Sequence, residues 1–149
     1  MADNSGLNSP TIPLYARHAT TGDPTIDATS TGDKVAIVVP FKCELYRACL
    51  LLNAAPGDTG TVVIDKRVLY ASDTGRGTAD VATIELLTTH AAGAVVYDEP
   101  ATRVTFEEGD ELIVEVTASA ASVTEARCWI LVREIPEVPG NNTAMVAST

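Results

Sequence analysis

The stretch FEEGDELIVEVTAS, residues 106–119, decides the fold class of this chain. Its polar EEGD segment contains Gly109, which can adopt the positive φ that a tight turn requires. After the turn, apolar and polar residues alternate, so that Leu112, Val114 and Val116 share one face of an extended segment. This period of two residues predicts an antiparallel strand that follows a tight turn and buries one face.

Similar alternating segments recur through the rest of the chain, separated by turn residues. Further strands are predicted over residues 34–39, 41–52, 61–70, 93–97, 103–106 and 124–134. Residues 81–88 fit either a strand or two helical turns, and their β-branched side chains favour a strand. Together these segments predict an all-β fold, an antiparallel β-sandwich or jelly-roll-like barrel of roughly seven to nine strands.

Two of these strands carry finer information. The alternation in residues 41–52 is continuous only if a β-bulge lies near Tyr46 and Arg47. In the last strand the inward-facing residues are Ala126, Cys128, Ile130 and Val132. Trp129 lies on the opposite face, and we predict that Trp129, Arg127 and Arg133 form an oligomer interface. Two alternatives are a sugar platform at Trp129 and burial of both faces of this strand by the sandwich.

The two ends of the chain differ in composition from the alternating region. Residues 1–33 are mostly small and polar, contain three prolines, and bury too little apolar surface to order themselves. We therefore predict an extended N-terminal arm (residues 1–33), a core domain (34–135) and a C-terminal tail (136–149). The arm is held by its own domain, by a neighbouring copy or by another protein. Its few apolar residues cluster in one short segment, which we predict to dock to a partner: Ile12, Leu14, Tyr15 and Arg17.

The charge and hydropathy of the chain exclude several classes of function. The net charge is −10, with 20 acidic and 10 basic residues, which argues against nucleic acid as a partner and favours a basic or neutral protein. No apolar run approaches the roughly 20 residues of a membrane span, so no membrane association is predicted. No secretory signal is evident, and we expect synthesis in a cytosol-like compartment. The three cysteines are predicted to be buried, unpaired thiols.

The sequence contains no recognisable catalytic constellation. The two histidines, His18 and His90, have no partner at metal-ligand spacing. The acidic residues of the turn at 107–111 offer oxygen ligands for a cation, although a solvated turn is the preferred interpretation. Neither a nucleophile elbow nor a phosphate-binding loop is present. We therefore expect a protein that is not an enzyme and needs no cofactor and no metal.

The region from residue 34 to residue 135 resembles the small decoration, or cement, proteins of tailed bacteriophage heads and related minor virion proteins. The resemblance rests on the segments VVPFKCELYRACLLL (38–52), VVIDKRVLY (62–70), AAGAVVY (91–97), VTFEEGDELIVEV (104–116) and ARCWILVREIP (126–136). It implies a structural virion protein made in the host cytoplasm, a β-sandwich homotrimer that binds the major capsid protein on the capsid surface and bridges neighbouring capsomers. The family has no catalytic motif, so the resemblance transfers no site residues.

Other functions fit the same sequence. The main alternative is a carbohydrate- or receptor-binding β-sandwich module of a virion fibre, with exposed aromatic residues as its mark. A trimeric β-fold enzyme is less favoured, because no acid–base pair or metal cluster is visible. The cement-protein hypothesis predicts that deleting residues 1–33 leaves a folded core that no longer binds capsids.

Overall fold

The computed structural model describes residues 10–18, 21–67 and 79–136. These residues form ten β-strands and no helix. The strands are β1 (Ile12–Tyr15), β2 (Thr25–Ile26), β3 (Lys34–Val38), β4 (Cys43–Leu51), β5 (Gly60–Arg67), β6 (Ala79–Leu86), β7 (Val95–Asp98), β8 (Thr105–Phe106), β9 (Glu111–Ala118) and β10 (Ala126–Glu134).

The ten strands form two antiparallel sheets packed face to face. A six-stranded sheet has the order β1-β10-β4-β7, with β2 added to β10 and β8 added to β4. A four-stranded sheet has the order β3-β9-β5-β6. The inner faces of both sheets enclose an aliphatic core in which Leu112, Val114 and Ile130 are fully buried. The predicted antiparallel β-sandwich is therefore confirmed.

Strand details also follow the sequence pattern. Between β4 and β10, Arg47 pairs with Leu131 and Leu45 pairs with Val132, which leaves Tyr46 as the extra residue of a β-bulge. The predicted bulge is confirmed, and so is the tight turn, in which Gly109 has a φ of 90°. The ambiguous segment 81–88 contributes most of strand β6, which pairs with β5.

The described part of the predicted N-terminal arm lies on its own domain. Strand β1 pairs with β10, and the chain then crosses to the other sheet, where Arg17 and Ala36 exchange two backbone hydrogen bonds of 2.9 Å. Ile26 follows on β2 and is fully buried. Of the three alternatives for the arm, these residues show packing on the same chain. The physical reason is that β1 supplies hydrogen-bond partners to an edge of β10 that would otherwise have none.

Some of the predicted elements lie partly or wholly outside the described residues. Residues 1–9, 19–20, 68–78 and 137–149 lie outside the described residues, so the start of the arm, the end of the strand predicted at 61–70 and almost all of the C-terminal tail are not placed. At the last described residues, the Ile135 N–H donates to the Lys42 carbonyl oxygen at 3.0 Å. Both described ends of the chain therefore lie beside the six-stranded sheet.

The three cysteines are free and buried. Burial raises the pKa of Cys43 to about 11 and that of Cys128 to about 12, and it also raises the pKa of Cys49. Because the thiolate is the reactive form, we expect none of the three to react with Ellman's reagent at pH 8 in the native protein. All three are expected to react in guanidinium chloride, which serves as the internal control. Rapid native labelling would contradict the burial of these thiols.

Candidate functional site

The outer face of the six-stranded sheet carries a group of aromatic and arginine side chains. A single row crosses four strands in register, from Tyr15 on β1 through Trp129 on β10 and Cys49 on β4 to Tyr97 on β7. Neighbouring strands lie about 4.8 Å apart, so this row spans roughly 14 Å. We call the following six residues the aromatic face: Tyr15, Tyr46, Arg47, Tyr97, Trp129 and Arg133.

The aromatic rings on this face are accessible. Tyr15 is 51% exposed, Tyr97 is 52% exposed, and Trp129 is half-buried. The centroids of the Tyr15 and Trp129 rings are 6.0 Å apart, and the ring planes are inclined at 41°. This tilted pair forms one end of the row, and Tyr97 forms the other end.

Arginine side chains connect the aromatic rings on the β4 side of the face. The guanidinium carbon of Arg47 lies 4.0 Å from the ring centroid of Tyr97 and 5.2 Å from that of Tyr46. The guanidinium carbon of Arg133 lies 4.4 Å from the Tyr46 centroid on β4. Cations and rings therefore alternate in the order Tyr97, Arg47, Tyr46, Arg133, which is the arrangement of successive cation–π contacts.

Glu99 fixes the orientation of Arg47. The Nε of Arg47 donates a hydrogen bond of 3.0 Å to Glu99 Oε1, and an Nη atom makes an ion pair with the same oxygen. The hydrogen bonding to Glu99 raises the pKa of Arg47 above its usual value. The guanidinium is thus held over Tyr97.

Cys49 lies beneath the side chains of the aromatic face. It points outward from β4, and yet it is only 2% exposed and lies outside the core cluster. Its neighbours in the row are Trp129 on one side and Tyr97 on the other. The side chains of the outer face therefore cover this thiol.

At one end, the outer face of the sheet leads into a cleft of about 390 Å³. Arg127 and Leu51, which pair across β10 and β4, line it together with Thr25, Asn53, Gly93 and Glu125. The side chain of Asn53 braces the loop, because its Oδ1 accepts from the Glu125 N–H at 3.1 Å and its Nδ2 donates to Thr124 Oγ1 at 3.2 Å. The cleft extends the aromatic face towards an exposed guanidinium.

The structure separates the four residues predicted as a docking segment. Ile12 and Leu14 are half-buried and pack against the core. Tyr15 points outward and joins the aromatic face, and Arg17 is exposed where the chain crosses to β3. A docking surface made of all four side chains would therefore need contact on both faces of β1, and docking to a partner stays a prediction.

The residues predicted as an oligomer interface lie together. Arg127, Trp129 and Arg133 occupy alternate positions on the outer side of β10. Trp129 is half-buried beside Tyr15, and among residues 10–18, 21–67 and 79–136 no third layer covers it. That the three residues contact another copy stays a prediction.

Three residues of the aromatic face were not predicted as site residues. Tyr46 and Arg47 come together on the outer face because the bulge turns two consecutive side chains the same way. Tyr97 reaches Arg47 only through the pairing of β4 with β7, which the sequence does not reveal. The predicted bulge could have indicated that Tyr46 and Arg47 lie on the outer face. For Tyr97 the sequence offers no indication beyond its aromatic side chain.

The residues considered for metal binding have protein partners. In the acidic turn, Asp110 Oδ2 lies 3.2 Å from Lys66 Nζ and accepts from the Glu107 N–H at 2.8 Å. His90 Nδ1 accepts from the Leu87 N–H at 3.0 Å, and His18 Nε2 lies 3.7 Å from Asp33 Oδ2. Within the described ranges, no group of three or more His, Cys, Asp or Glu side chains is placed to hold a metal ion. In the same part of the chain, no helix is long and apolar enough to cross a membrane.

Comparisons with known proteins give similarities of fold. No family model and no curated protein matches the chain. The solved structure of CsCBM6-3 from Clostridium stercorarium with cellobiose is 11% identical, with 82% of each chain covered and a TM-score of 0.49. CBM35 from Cellvibrio japonicus Abf62 is 10% identical, with 84% of this chain and 94% of that chain covered and a TM-score of 0.49. The Eiger TNF of S. frugiperda is 13% identical, with 87% and 97% covered and a TM-score of 0.44. None of these similarities transfers a residue to this chain.

Proposed function

We propose that this protein is a non-catalytic carbohydrate-binding β-sandwich module whose ligand lies across the aromatic face. The observation that carries the proposal is the row from Tyr15 to Tyr97, in which the two exposed tyrosines flank Trp129. Sugar rings present C–H groups on their faces and hydroxyl groups on their edges. Aromatic rings pack against the former, and polar groups at the rim bind the latter.

The geometry of the arginines supports binding to a preformed surface. Arg47 is held by Glu99 and by the ring of Tyr97, so its side chain loses little freedom when a ligand binds. Its remaining donors form a rigid planar group that can reach hydroxyl or ring oxygens. Specific hydrogen bonding is thus available beside the Tyr97 end of the aromatic row.

The capsid-decoration hypothesis predicts a different role for the same face. It assigns Trp129, Arg127 and Arg133 to contacts within a homotrimer, and tryptophan and arginine are frequent anchors of protein interfaces. Binding to a major capsid protein also stays a prediction. The two hypotheses differ in what covers the aromatic face, a sugar chain or a second copy.

Affinity electrophoresis through gels that contain soluble polysaccharides tests the proposal. We expect retardation of the wild-type protein by at least one polymer, and an affinity at least about tenfold weaker for Trp129→Ala because the central ring of the row is lost. Tyr97→Ala serves as a second variant, since this side chain is half exposed and its removal spares the core. Val38→Ala is the matched control, because Val38 is 63% exposed on the four-stranded sheet.

The same proteins distinguish the two hypotheses by their mass in solution. Light scattering is expected to give a monomer for the wild type and for Trp129→Ala. A trimer that dissociates in Trp129→Ala would favour the interface hypothesis. The carbohydrate proposal is wrong if no polymer retards the wild type, or if Trp129→Ala and Tyr97→Ala bind like Val38→Ala.

A further inference from the structure

The outer row of β10 begins and ends with an arginine. Arg127 and Arg133 are six residues apart on an extended strand, so their Cα atoms are separated by roughly 20 Å. Trp129 and Leu131 lie between them on the same side. A ligand bound over Trp129 therefore has a guanidinium on either side of it along β10.

Arg127 and Arg133 differ from most of the other lysines and arginines because they make no ion pair with a carboxylate of the described residues. The described residues contain nine lysines and arginines, and six of them make ion pairs with carboxylates. The six are Lys34, Lys42, Arg47, Lys66, Arg67 and Arg103. Within that part of the chain, Arg127 and Arg133 have no carboxylate within ion-pair distance, and neither does Arg17, two residues after Tyr15.

The chain has twice as many acidic as basic residues, 20 against 10, so carboxylates are not scarce. Two of the three described cations left without one, Arg127 and Arg133, nevertheless share the outer side of β10 with Trp129. From this placement we infer that the carbohydrate bound there is anionic, with carboxylate or sulfate groups that contact Arg127 and Arg133. The inference rests on the proposed function and adds the chemical class of the ligand.

Charge complementarity favours this ligand over a neutral sugar or a second copy. Guanidinium groups bind carboxylate and sulfate oxygens through charge-assisted hydrogen bonds that a neutral hydroxyl does not match. A second copy brings a net charge of −10, and two-fold pairing of the face would bring like guanidinium groups together. At 0.1 M salt the Debye length is about 10 Å, so carboxylates of the domain that lie farther than this from the two arginines are largely screened.

The Arg133 side chain contributes to the face in two ways. Its guanidinium lies over Tyr46, which fixes its position, and the carboxylate of Glu44, its partner on β4, makes an ion pair with Arg103 instead. Arg127 is exposed at the cleft, so replacing it does not disturb the core. Arg127 is therefore the better residue to substitute, and Arg133 supplies a second variant.

The test compares polymers that differ only in charge. Titration calorimetry in 0.1 M NaCl measures binding of a polyuronate and its carboxyl-reduced form, and of a sulfated glucan and its parent glucan. We expect at least one charged polymer to bind about tenfold more tightly than its neutral counterpart. Arg127→Gln is expected to reduce this ratio several-fold, and Arg127→Gln with Arg133→Gln to abolish it. Lys34→Gln is the matched control, because it removes one positive charge from the four-stranded sheet, and its ratio is expected to equal that of the wild type.

Each outcome has a distinct meaning. Preference for the polyuronate or for the sulfated glucan supports the inference and identifies the anionic group. Equal binding of charged and neutral polymers overturns the inference and leaves the proposed function intact. A preference that survives in the double variant also overturns it. A lack of binding to all four polymers overturns the inference alone when another polysaccharide retards the protein in gels, and overturns both when none does.

Discussion

A protein lacking residues 1–33 is expected not to fold. The deletion removes β1 and β2, and with them the fully buried side chains of Ala16, Ile26 and Ala28 and the half-buried side chains of Ile12 and Leu14. Truncating a single buried isoleucine to alanine typically costs about 2–5 kcal/mol, whereas the whole stability of a domain is about 5–15 kcal/mol. The deletion also leaves the backbone of β10 without its partner on one side.

Circular dichroism and thermal unfolding of the truncated protein test this expectation. Tyr15→Ala is the control, because it keeps the strand and removes only an exposed side chain, at a cost of about 1 kcal/mol or less. Cooperative unfolding of the truncated protein within a few degrees of the wild type would contradict it. That result would instead agree with the cement-protein hypothesis, which predicts a folded core after the same deletion.

The second large effect is expected for Ile130→Ala in the centre of the six-stranded sheet. Ile130 is fully buried and pairs in register with Leu14 on one side and Ala48 on the other. The substitution removes buried methyl and methylene groups and leaves a cavity, so we expect a loss of about 3–4 kcal/mol. For a domain of this size, the loss corresponds to a decrease in Tm of roughly 6–16 °C.

The neighbouring residue provides a matched control. Leu131 is half-buried on the outer side of the same strand, and Leu131→Ala is expected to cost about 1 kcal/mol. Denaturant unfolding monitored by Trp129 fluorescence measures both variants. Equal losses would mean that the two faces of β10 are buried alike, and would remove the basis for an accessible aromatic face.

The strands of residues 34–134 could be predicted because their sequence alternates locally. Ala126, Cys128 and Ile130 indicate the inner face of β10 without reference to any other strand, and the bulge is visible as a break in the alternation of β4. Strands β1 and β2 could not be predicted in the same way. They are short, contain or follow prolines, and are stabilised by partners 100 or more residues away, so their local sequence resembles an unstructured arm.

The aromatic face was predictable only in part. The sequence places Trp129 with Arg127 and Arg133 on one side of a strand, because they are separated by two and four residues, both even spacings. Contacts between strands depend on sheet order and register instead. Arg47 and Glu99 are 52 residues apart, and nothing near either residue in the sequence indicates that they form an ion pair.

The pairing of β1 with β10 has a mechanical consequence. Ile12 pairs with Val132 and Tyr15 with Trp129, so the two described ends of the chain leave the sheet on the same side. Force applied between residues 10 and 136 would act along the hydrogen bonds between these strands and break them one after another, starting at Ile12. A protein held by both ends would therefore unzip at low force, and the first strand to leave would carry Tyr15 out of the aromatic row.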